Sequence, residues 1–161
     1  MLDRILIPLD GSPAMASALP TIRQMVRGTG AKVHLLLVLP VPRNIERRGA
    51  RVVYLDELMA EGHATGLGYL AQQGSALAYD GIVVSREVRF GEIVAEVLAV
   101  AQRQALHLIA LAVVAQSPMQ QLVRPGLAQQ LMAQATVPVL VVPPSCPLVR
   151  GLGLSYGQAA A

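Results

Sequence analysis

Residues Ile5-Leu6-Ile7-Pro8-Leu9-Asp10-Gly11-Ser12-Pro13 read as a buried strand running straight into a helix start. The apolar residues are consecutive rather than alternating, and such runs belong to strands covered on both faces, as in parallel sheets. Ser12 offers a hydroxyl N-cap. Pro13 then occupies the first helical position, where a missing N–H costs nothing.

The same unit recurs along the chain. Ile22, Met25 and Val26 continue an apolar helical face towards Gly28 and Gly30, with a kink or local break expected at Pro20. Lys32 to Leu39 is a second apolar strand, ended by Pro40 and Pro42. Residues 43 to 51 form a basic loop carrying Arg43, Arg47, Arg48 and Arg51 beside Glu46. This loop either meets an anionic ligand or acidic partner or is simply solvated. A second helix runs from about Val53 to Gln73, weakened by Gly62, Gly66 and Gly68.

Gly81 to Val88 is a third strand, and Gly91 opens a helix with Ile93, Val94, Val97, Leu98 and Ala101 on one face. Leu106 to Val113 is a fourth strand. A loop of about ten residues leads to a short helix over Leu127 to Ala135 and a last strand over Val139 to Val142. Strand and helix alternation requires right-handed crossovers and a mainly parallel sheet with helices on both faces. The chain reads as one α/β domain over 1–143, with no internal repeat, and a tail, 144–161, that is mobile or docked on a partner.

Composition narrows the function. Aromatic residues make up 3%, with no tryptophan, so stacking platforms for single-stranded nucleic acid are scarce and no nucleic-acid partner is expected. The longest apolar stretch, Ala105 to Ala115, contains His107 and is too short to span a bilayer, so no membrane partner is expected either. No basic segment precedes an apolar one at the start, and Cys146 is the single cysteine; together these point to a reducing cytoplasm. His34, His63 and His107 sit at no ligand-like spacing, and no metal is expected. His34, inside an apolar strand, reads as a hydrogen-bonded core or interface residue. Ser12 has a capping role and no evident base, so it is not read as a nucleophile.

Pro8, Asp10, Gly11 and Ser12 after the first strand, Leu37-Val38 ending the second, Arg89-Phe90-Gly91-Glu92-Ile93, and the closing Val137-Pro138-Val139-Leu140-Val141-Val142 together resemble the universal stress protein family, in order and spacing, over about residues 3 to 143. The resemblance implies a five-stranded parallel doubly wound sheet of order 3-2-1-4-5, Rossmann-like and akin to the adenine nucleotide alpha hydrolases. It also implies a homodimer pairing through Val139, Leu140, Val141 and Val142.

The departure follows the fourth strand. Nucleotide-binding members carry Gly, two residues, Gly, nine residues, then Gly before Ser or Thr. Such glycines let backbone N–H groups approach phosphates at a helix start. Taking Gly126 as the third glycine places Val113, Gln116 and Leu127 at the other positions; anchoring on strand four gives Ala112, Ala115 and Pro125. Neither register restores the loop, so the chain resembles the branch without it.

Candidate ligand-binding residues are therefore Pro8, Asp10, Val38, Ser117, Arg124 and Gly126. Asp10 lies at the switch point where ligands bind in such sheets; its alternative role is to order the strand-to-helix corner. Ser117 and Arg124 are the groups able to hold a small anion in a loop that is otherwise an ordinary crossover. No catalytic residue is assigned. The expected role is a non-catalytic stress-response or regulatory module, dimeric and without tight ATP binding. One alternative is a binding module for AMP or another small adenine-containing ligand; another is a slow nucleotide hydrolase, which would need placed charge around the phosphates.

Overall fold

A computed structural model describes residues 3–43, 46–49, 51–112 and 126–142. Ser117, Arg124, Val113, Gln116, Pro125, Cys146 and the tail lie outside the described residues. The elements are β1 (Arg4–Leu9), α1 (Pro13–Ala16), α2 (Leu19–Val26), β2 (Lys32–Leu39), β3 (Glu46–Arg48), β4 (Arg51–Val53), α3 (Leu55–Tyr79), β5 (Val84–Phe90), α4 (Ile93–Arg103), β6 (Leu108–Ala112), α5 (Leu127–Gln134) and β7 (Val139–Val142).

The main sheet has five parallel strands in the order β5-β2-β1-β6-β7. With the β3–β4 hairpin set apart, this is the expected 3-2-1-4-5 arrangement. β1 and β2 are buried along almost their whole length, as their unbroken apolar runs require. Leu6, Ile7, Leu9, Leu35, Leu36 and Ile109 are fully buried at the centre of the sheet.

Two helices stand where one kinked helix was expected. Ser12 Oγ accepts the Met15 N–H at 3.3 Å and opens α1, as read from the sequence. Pro20 cannot donate to the Ala16 carbonyl, so α1 stops there and Pro20 becomes the second residue of α2. The basic segment is also more ordered than a loop: Glu46–Arg48 pairs antiparallel with Arg51–Val53, and Val53, expected at a helix start, belongs to that hairpin.

Helix α3 runs six residues past Gln73, to Tyr79, despite its glycines. The reason is packing. A Cβ on Gly66 would lie 2.9 Å from Leu37 Cδ2 and 3.0 Å from Val88 Cγ2, and one on Gly74 would lie 3.1 Å from Leu35 Cδ1. Glycine therefore lets this helix sit close on β2 and β5, which offsets its poor intrinsic propensity. The third sheet strand begins at Val84 rather than Gly81 and reaches Phe90. Glu92, not Gly91, caps α4: its carboxylate accepts the Val94 and Ala95 N–H groups at 3.1 and 2.8 Å. Among the described residues no helix is long and apolar enough to cross a membrane.

Candidate functional site

Parallel strands send all their carboxyl ends to one edge, and the chain reverses its direction of travel across the sheet between β1 and β6. That reversal opens a crevice at the ends of these strands. Leu37 and Leu39 meet the Gly66 and Gly62 positions of α3, so by alternation Leu36 and Val38 face the opposite side. Pro8 is the register partner of Leu36 and shares that face. α4 covers it, as the contact of Gln104 just beyond α4 with His34 shows, and α5 packs beside α4. Helix α5 runs antiparallel to β6 and β7, so its start at Gly126 lies at the same edge as the carboxyl end of β1.

Three of the sequence candidates thus come to one side of one edge: Pro8 and Val38 as buried floor, Gly126 at a helix start. Asp10 stands exposed in the turn above them. Its Oδ1 accepts the Ser12 N–H at 2.9 Å and the Ser12 hydroxyl at 2.6 Å, and Gly11 takes φ +84° to complete the corner. The corner role of Asp10 is therefore visible. One carboxylate oxygen ties the corner, and the side chain remains open to solvent.

One donor at the start of α5 is taken by the helix itself. Gln129 Oε1 accepts the Gly126 N–H at 3.2 Å. Leu127, at the first helical position, packs against the hydrophobic core. A phosphate arriving here would have to displace the Gln129 amide, and no hydroxyl stands at Leu127 to receive it.

A second cavity, missed by sequence reasoning, lies across the same turn. It measures about 480 Å³ and is bounded by Gly11, Leu37, Leu39, Leu58, Gly62 and Tyr69. This is within the size range of small-molecule pockets. The Tyr69 hydroxyl is buried and has no hydrogen-bond partner among the described residues. Burial raises its pKa above the usual value, and the nearby Asp10 charge raises it further. The sequence signal was the small residues of α3, at Gly62 and Gly66, read there only as helix weakeners.

The other histidines are separate. His34 is 5% exposed and bonded within the fold, His107 Nδ1 accepts the Asp3 N–H at 3.3 Å, and His63 is exposed on α3. Among the described residues no three His, Cys, Asp or Glu side chains gather as a metal site would require.

The model of the Universal stress protein family matches residues 1–143. No curated protein matches the chain. Solved structures share the fold. A universal stress protein in complex with cAMP superposes with a TM-score of 0.68 at 14% identity, covering 89% of this chain and 98% of that one. UspA from Lactobacillus plantarum gives 0.67 at 16% identity, covering 88% and 97%. The universal stress protein from Archaeoglobus fulgidus in complex with dAMP gives 0.58 at 16% identity, covering 88% and 98%.

Proposed function

The chain belongs to the universal stress protein family, and from that premise we propose that it is a non-catalytic stress-response and regulatory module that works as a homodimer and does not hold ATP tightly. The observation that carries the ATP part is the start of α5. The Gly126 N–H is already given to Gln129, and a half-buried Leu127 packs against the core where a hydroxyl would serve a phosphate. A triphosphate would find one donor of its expected helix terminus already taken by the Gln129 amide.

A second reading is favoured by the crevice itself: a smaller adenine ligand such as AMP, seated on Pro8 and Val38 with the Asp10 carboxylate accepting from a hydroxyl or amine. Apolar floor and one exposed acceptor suit a flat base with a polar rim. The related structures in complex with cAMP and dAMP support an adenine ligand of this size.

Thermal shift of the full chain with ATP, AMP and cAMP tests both. A ligand at a hundred times its Kd stabilises by about 2.7 kcal/mol. The expected result is a shift with AMP or cAMP and little with ATP. Micromolar ATP affinity by titration calorimetry would overturn the reading. Asp10→Ala is expected to weaken nucleotide binding more than folding; a variant that loses stability but keeps affinity assigns Asp10 to the corner alone.

A further inference from the structure

A polar cluster lies under α4 on the opposite side of the molecule from the carboxyl edge, and the crevice makes no use of it. Parallel register sets His34 of β2 beside Ser85 of β5, with Glu87 one step further along the same face. His34 Nδ1 lies 2.7 Å from Ser85 Oγ, and His34 Nε2 lies 3.3 Å from Glu87 Oε2. The Glu87 carboxylate, which only accepts, takes a proton from Nε2, which the Gln104 amide also approaches at 3.4 Å; in that tautomer Nδ1 presents its lone pair to the Ser85 hydroxyl, which also lies 3.5 Å from the Val33 carbonyl. Glu87 is held in turn: Gln104 Nε2 donates to its Oε2 at 2.9 Å and Arg103 Nη2 to its Oε1 at 2.5 Å. This is the order of a nucleophile, a base and a group that orients the base.

The serine is accessible. Ser85 is exposed on the edge strand β5 and lines a cavity of about 160 Å³ together with Arg4, Lys32, His34, Gln104 and Leu106. Two cations thus border the space in front of the hydroxyl. Arg4 is fixed there by donating from Nη1 to the Gln104 carbonyl at 3.2 Å. The cavity is small and its entrance is positive.

We propose that Ser85 is an activated nucleophile that takes a small acyl group from an acyl phosphate, making this edge a modification site of a regulatory protein. Ser85 Oγ attacks the acyl carbon while its proton passes to His34 Nδ1. The bond from the acyl carbon to the phosphate oxygen breaks, phosphate leaves with the electron pair, and the imidazolium returns the proton to it. The products are an acyl ester on Ser85 and inorganic phosphate. Arg4 and Lys32 attract the dianionic donor and the leaving phosphate. Glu87 is a positioning residue, setting the tautomer of His34. Burial lowers the His34 pKa from the ordinary 6.5, against the opposing charge of Glu87 and with Arg103 adding to the lowering, so the ring is neutral and able to accept the proton at neutral pH.

The site is independent of the nucleotide crevice, and its test does not involve it. The full chain is incubated with acetyl phosphate and followed by intact mass and peptide mapping. The expected result is one hydroxylamine-sensitive acetyl ester on Ser85, absent in Ser85→Ala, whose melting transition is followed alongside because the hydroxyl also bonds His34. His34→Gln is expected to slow acylation about 100-fold or more. Because that variant removes a buried side chain, Glu87→Gln and the pH profile serve as second readouts. The rate in the native chain is expected to rise through the depressed His34 pKa and then level off, and Glu87→Gln is expected to shift that rise. An unmodified Ser85, acetylation confined to Lys32 (the chain's single lysine), or a pH profile unchanged by Glu87→Gln would each overturn the proposal.

Discussion

Gly66 and Gly68 are neighbours on α3 with opposite jobs. Gly66 is buried where the helix rests on Leu37 and Val88, with contacts at 2.9 and 3.0 Å from an added Cβ, whereas Gly68 is exposed with nothing within 4 Å. Gly66→Ala is expected to destabilise by about 1–3 kcal/mol through overpacking. Gly68→Ala is expected to stabilise by about 0.5–1 kcal/mol through helix propensity. Urea midpoints of the two variants check this, and equal shifts of the same sign would count against it. The sequence alone shows only three glycines in a helix, because which of them faces the sheet depends on how α3 docks. Tyr69 was hidden for the same reason: its hydroxyl becomes significant only once α3 lies beside the Asp10 turn. The placement of Pro8, Asp10 and Val38 near the carboxyl ends of β1 and β2, by contrast, was legible, since local sequence marks where those strands stop. Ser85, His34 and Glu87 became partners only through cross-strand register, which no local pattern encodes.

Elements are joined by a few directed contacts laid over the apolar packing. Asp80 caps the C-terminal end of α3 and receives Arg23 of α2 in a two-pronged contact, Nε to Oδ2 at 2.5 Å and Nη2 to Oδ1 at 2.9 Å. The hydrogen bond from Arg23 holds the Asp80 pKa below its usual 3.8, with burial opposing and the charges of Arg23 and Arg27 assisting. A folded carboxylate with a depressed pKa binds fewer protons than the unfolded one. Its stabilisation is therefore present above 3.8 and is lost as pH falls through the lower folded value. Arg23→Gln is expected to lower Tm at neutral pH, and the gap from the native chain is expected to close as the solution is acidified past that value. Circular-dichroism melts across the acid range check it; a gap independent of pH would show that Arg23 acts by packing alone. This tie escaped sequence reading because ionic partners 57 positions apart carry no local signature. Strong apolar runs and caps placed β1, β2, β7 and the start of α1 within a residue or two. Boundaries drifted where glycine or proline had two possible meanings, as at Pro20, Gly81 and Gly91.

The two edges of the whole sheet are built differently, and that difference decides how copies of the molecule would meet. β5, at one edge, carries Arg86, Glu87 and Arg89, charges that discourage strand addition. β7, at the other, is Val139-Leu140-Val141-Val142 with no charge at all, and its first three residues are only half-buried. The pairing of β7 with β6 shows which of its groups are free. The Ile109 N–H donates to the Pro138 carbonyl at 3.0 Å. In a parallel ladder the next bond runs from the Leu140 N–H back to Ile109, which leaves the Val139 and Val141 N–H groups pointing outward. Two copies related by a twofold axis would satisfy these groups by antiparallel pairing. Val141→Pro tests this directly. It removes one outward N–H, adds no charge and leaves the β6 side intact, a change that edge strands tolerate. Light scattering is expected to show a dimer for the native chain and a monomer for Val141→Pro, with the melting transition of the variant still cooperative. A version ending at Pro143 is expected to remain dimeric. A native chain that is monomeric, and that dimerises only when cut at Pro143, would instead mean that residues 144–161 cover the edge within one molecule.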